Sequence, residues 1–71
     1  MDELRVSCYS GFTYAERPRS FLWRGEEYEV AGTESAWIEP GRRCFWVNAG
    51  AGRRFDLCYL EAQDEWVIAE R

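Results

Sequence analysis

The residues able to do chemistry in this sequence are three cysteines, two pairs of adjacent carboxylates, a glycine-rich tip and four clustered arginines. Cys8, Cys44 and Cys58 show no CxxC spacing, so neither a thioredoxin-like nor a zinc-ribbon reading holds. A zinc site from the three thiols and Asp56 is conceivable. Structural zinc sites, however, bring their ligands in closely spaced pairs, and a buried cysteine acting as a small hydrophobe is the commoner case. An odd cysteine count rules out complete internal pairing, and reduced thiols in a cytoplasm are the simplest expectation. A nucleophile needs a base beside it, and the chain has no histidine. Glu26-Glu27 and Asp64-Glu65 fall in predicted turns, where adjacent carboxylates are normally solvated. Gly50-Ala51-Gly52 is followed by no helix and reads as a turn that needs positive φ, not as a phosphate cradle. No catalytic, cofactor-binding or metal-ligating residue is therefore expected, and the protein is read as non-enzymatic.

The arginines carry more information. Net charge is −4, and every basic residue is arginine. The charge is unevenly spread: residues 26–39 sum to −5, and residues 40–54 to +4. Arg42, Arg43, Arg53 and Arg54 have no acid between them. With Trp46 among them, they could grip an acidic protein segment, or bind a phosphate backbone and stack a base. They could equally be solvated arginines paired with the acidic 26–39 segment, in ion pairs of small energy. An overall acidic chain argues against nucleic acid, whose affinity comes from phosphate neutralisation. Another protein is the expected partner, bound at this hairpin or at an open sheet edge. Tyr14, on the long connection 10–19, is a further contact candidate; plugging an end of the core is the alternative role for aromatics there.

Those side chains must be positioned by strands. Leu4–Tyr9 alternates, with Leu4 and Val6 on one face. Residues 21–24 and 27–31 form a predicted hairpin about Gly25-Glu26, with Tyr28 and Val30 facing inward. Gly32-Thr33 breaks or bulges the path, and 35–39 is a short strand stopped by Pro40-Gly41. Residues 43–48 and 54–60 form a second hairpin, and 66–69 closes the chain. In 54–60 the frame Phe55, Leu57, Tyr59 is clean. In 43–48 both frames are apolar; β-branched Val47 favours Phe45 and Val47 inward, leaving Trp46 outside. A slip of one residue would reverse that choice.

Seventy-one residues make one domain, 1–71. A chain this short has a thin margin of stability. Four Trp, four Tyr and four Phe can close a small core, since each buries about 150–250 Å². The expected fold is all-β: a small, strongly bent antiparallel sheet of five to seven short strands, as an SH3-like barrel or half-open roll. Met1-Asp2-Glu3 is acidic and precedes no apolar run, so neither a secretory signal nor a membrane span is expected.

The spacing of Tyr9-Ser10-Gly11, Glu16-Arg17-Pro18, Ser20-Phe21, Trp23, Gly25, Tyr28 and Val30 resembles a family of short uncharacterised bacterial proteins. Trp37, Phe45, Val47, Phe55, Leu57 and Trp66 fit the same pattern. The resemblance covers most of the chain and rests on fold-forming residues. It implies architecture and, through similar domains near translesion-type DNA polymerase-like proteins, a DNA-repair context. It carries over no catalytic residue.

Overall fold

The computed structural model describes residues 4–8 and 17–71, and every regular element among them is a strand. The strands are β1 (Leu4–Cys8), β2 (Pro18–Trp23), β3 (Glu26–Glu29), β4 (Gly32–Glu39), β5 (Arg42–Asn48), β6 (Arg54–Leu60) and β7 (Glu65–Glu70). They form two antiparallel sheets, β1-β2-β3 and β4-β5-β6-β7. The all-β expectation is met. The two sheets are not closed into a barrel. Among the described residues, no helix is long and apolar enough to cross a membrane.

Turn chemistry explains the path. Arg24 and Gly25 both have positive φ, 54° and 79°, as a two-residue turn matched to the right-handed twist of a hairpin requires. The turn thus sits one residue earlier than the sequence suggests. Pro40 and Gly41 join β4 to β5, and Gly41 takes φ 82°, the conformation that a type II turn assigns to glycine. The sequence places Pro18 in an irregular connection. It is instead the fully buried first residue of β2, a strand position where a missing N–H is tolerated. The register is irregular there, between Ser7 and Cys8. A second irregularity between Thr33 and Ser35 lies at the expected bulge, inside a longer strand.

The core lies between the sheets. Phe21 and Trp23 from β2 meet Phe45, Val47, Phe55, Leu57 and Tyr59 from β5 and β6. Leu4, Val6, Tyr28, Trp66 and Ile68 pack around them. Phe55 is the hub, with ring centroids 5.2 Å from Phe21, 5.5 Å from Trp23 and 5.5 Å from Tyr28. All three contacts are edge-on or nearly so, the arrangement ring quadrupoles favour. The inward frames of β5 and β6 are those the alternation predicts, and Trp46 accordingly lies on the outer face.

Candidate interaction surface

The four clustered arginines separate in space. β5 is extended, so Arg42 and Arg43 stand at one end and Asn48 at the other, roughly 20 Å away at the usual strand rise. Arg54 pairs in register with Asn48, whereas Arg42 pairs with Leu60. A charge cluster contiguous in sequence therefore becomes two arginine pairs at opposite ends of one hairpin. Within each pair, alternation sends the side chains to opposite faces.

Each arginine has a carboxylate. Arg42 bridges Glu39 at 3.6 Å, and Arg54 bridges Glu34 at 3.5 Å. These two pairings reach the acidic 26–39 segment. Arg43 turns instead to Glu61 at 3.5 Å, and Arg53 to Glu70 at 2.9 Å. Arg53 has a structural task. It donates twice to Glu70 and once to the Tyr28 hydroxyl, at 3.1 Å. Its guanidinium also lies 5.0 Å from the Tyr28 ring and 5.3 Å from the Phe55 ring. It thereby ties β3 of one sheet to the ends of β6 and β7 in the other. The hydrogen bonds from Arg53 hold the Glu70 carboxyl below its ordinary range, and those to Glu70 and Tyr28 raise Arg53.

Trp46 is the centre of what remains. It is half-buried on the outer face, with the Arg71 guanidinium 4.5 Å and the Arg54 guanidinium 5.9 Å from its ring centroid. Asp56, opposite Trp46 in the register, accepts from Arg71 at 2.9 Å and so holds that guanidinium beside the indole. The Arg71 backbone N–H donates to the Arg54 carbonyl at 2.8 Å, extending the ladder past β7. Cation–π contacts of this kind are worth about 0.5–1 kcal/mol at exposed sites. The buried indole N–H of Trp46 has no hydrogen-bond partner. The sequence pattern alone does not single out Arg71. Its signal was the outward frame of the last strand, continued two residues beyond Ala69. Tyr14 lies outside the described residues.

The cysteines correct the expectation of reduced thiols: Cys44 and Cys58 form a disulfide. They are direct partners across β5 and β6, with Cα atoms 4.1 Å apart. That spacing marks a pair that does not exchange backbone hydrogen bonds, where side chains come closest. The bridge sits on the outer face in one register row with Trp37 and Val67. Cys8 is not part of it. Among the described residues, no group of three His, Cys, Asp or Glu side chains could hold a metal ion. Of the adjacent carboxylates, Asp64 accepts from the Tyr59 hydroxyl at 2.6 Å and Glu26 from the Tyr28 hydroxyl at 3.0 Å. Both oxygens serve to anchor core tyrosines.

The fold and this surface define a small two-sheet β domain with an arginine-flanked tryptophan on the outside of its larger sheet. Residues 9–55, more than half the chain, match the family model described as a domain of unknown function, DUF6504. The chain belongs to that family. No curated protein and no solved structure matches it.

Proposed function

We propose that this domain is a non-enzymatic interaction module that binds another protein through the outer face of the β4–β7 sheet, around Trp46. The observation that carries this reading is the indole held on an outer sheet face between Arg54 and Arg71. Tryptophan and arginine are the residue types enriched at the energetic centres of protein interfaces. Trp37 and a 43% exposed Val67 extend the same face with apolar surface. Arg42 stands at its far end, while Arg43 and Arg53 serve the opposite face. The test compares wild type with Trp46→Ala and Arg54→Glu as immobilised baits. A partner retained by wild type and lost from both variants supports the reading. Equal recovery of every bound protein by all three sinks it.

A second reading has one observation in its favour. An indole flanked by two guanidiniums could stack a base of single-stranded nucleic acid, in the bacterial DNA-repair setting that the family resemblance implies. The net charge of −4 opposes it. Titration with a fluorescent oligothymidine decides: binding that falls steeply with added salt supports nucleic acid, and unchanged anisotropy at low salt removes it.

A further inference from the structure

Among the described residues, four strands lie at sheet edges: β1 and β3 in one sheet, β4 and β7 in the other. β3 is four residues long and three of them are glutamates, the short, charged form that blocks unwanted pairing. β1 and β7 lie near one another. β4 differs from all three. It is eight residues long, the longest strand among the described residues, and its centre, Ser35-Ala36-Trp37-Ile38, carries no charge. Its register irregularity is confined to the Thr33–Ser35 end. Ser35 and Ala36 are exposed, and Ile38 is 74% exposed, although isoleucine normally seeks the interior.

The ladder shows which backbone groups this edge offers. Cys44–Cys58 is a pair without exchanged hydrogen bonds, so Cys44 directs its N–H and C=O toward β4, where its partner is Trp37. By alternation Ser35, Trp37 and Glu39 bond to β5. Ala36 and Ile38 turn their N–H and C=O outward, along the open side.

We propose that this edge of β4 is a strand-addition site for an extended segment of another protein, with apolar residues on one face and two basic residues on the other. Main-chain pairing to Ala36 and Ile38 would supply affinity, and the alternating side chains specificity. The apolar face of the added strand lies beside Ala36 and Ile38. The basic face lies beside Trp37 and between Glu34 and Glu39, whose bridges to Arg54 and Arg42 run along the outer face. Those bridges are 3.5 and 3.6 Å long and leave the carboxylate side chains 34% and 47% exposed. β4 itself carries two acids, Glu34 and Glu39, and no base, so the charge of this strand favours a basic partner. A second copy of the chain fits poorly. Antiparallel self-pairing about Trp37 would set each Glu39 beside the Ser35 and Glu34 of the other copy, and like charges across strands are destabilising.

This deepens the interaction-module reading by naming an edge and a partner chemistry, and it rests on that reading. The probe is a seven-residue peptide, Thr-Arg-Val-Thr-Val-Arg-Thr, titrated into the full-length isotope-labelled domain and followed by amide NMR and hydrogen exchange. Shifts centred on β4, with slowed exchange at the Ala36 and Ile38 amides, are expected. A control with glutamate in place of both arginines is expected to bind at least tenfold more weakly, and one with proline in place of the valine opposite Ala36, whose N–H enters the ladder, should lose binding. Ile38→Arg, at an exposed position that leaves the fold intact, should also abolish it. Equal binding of the glutamate peptide overturns the proposal, as does an unshifted β4 at millimolar peptide. Shifts confined to Trp46 and Arg54 overturn the edge but leave the interaction module standing. The bait comparison above tests that module separately.

Discussion

The two faces of the β4–β7 sheet are made by the same residues in alternation, yet they are covered in different ways. The inner face is sealed by a second sheet, and Val47, Phe55 and Leu57 have no exposure at all. Among the described residues, no sheet lies above the outer face. Its central pair, Cys44 and Cys58, is nevertheless only 1% and 9% exposed, in one row with Trp37 and Val67. Trp46, beside that row, is flanked by arginines that carboxylates hold in place. One face is closed by packing against the other sheet, and the other carries a disulfide and an arginine-flanked indole. Stability should therefore reside in the inner face, and the outer one should be the more adaptable.

Mutation can break or sharpen that contrast. The largest effect is expected inside: Phe55→Ala should cost about 3–5 kcal/mol in denaturant unfolding, as truncation of buried Phe does. In so small a domain that loss should leave much of the protein unfolded at 37 °C. Next comes the bridge. Cys44 and Cys58 are 14 residues apart, and closing a loop of about 15 residues is worth about 3 kcal/mol. The double variant Cys44→Ser/Cys58→Ser should lose a comparable amount, read as a lower denaturant midpoint. A loss exceeding that of Phe55→Ala would make the outer face more important to stability than the core.

A smaller effect is expected at the join between sheets. The Glu70 carboxyl is held below its ordinary 4.5 by Arg53. A lowered folded-state pKa stabilises fully above the unfolded value, and that contribution is lost as pH falls through the folded value. Glu70→Gln should thus melt below wild type at pH 7, by less than the disulfide variant. The difference should shrink as pH drops below 4.5, and a gap that persists to pH 2 would count against the ion pair as its source. The smallest effect is expected at Trp46→Phe. This keeps an aromatic ring, though a smaller one, on a half-buried face and deletes an N–H that has no partner, so stability should change by less than about 1 kcal/mol or rise slightly. A larger loss would show that the indole contributes more to this face, through its ring contacts with Arg54 and Arg71 or through its N–H, than an unpartnered donor implies.

The strands were legible because their alternation is strong. Phe55, Leu57 and Tyr59 share a frame with no competing pattern, and Val47 decided the ambiguous strand beside them. Tight-turn positions were less legible: Arg24 adopts positive φ without being a glycine, a choice made by the hairpin twist and not by the residue. The disulfide was visible only as two cysteines on neighbouring strands. Its formation depends on their being in register and on the close kind of pair, which the residue pattern does not specify. The candidate surface was half legible. The neighbours of Trp46 in sequence fix it outward, but sequence distance groups the four arginines together, and an extended strand carries such neighbours apart. Arg71 comes to Trp46 by continuing the outward frame of the last strand two residues past Ala69.

Each sheet is a meander whose strands follow one another in sequence. Nearly every pairing therefore closes a short hairpin, and short loops cost little entropy to close. An all-β chain wired in this way should reach its native state faster than sandwiches whose strands cross between sheets, since folding rates rise as contacts become more local. The slow event would be the docking of the two finished meanders, when Phe21 and Trp23 meet Phe55 and Arg53 reaches Tyr28.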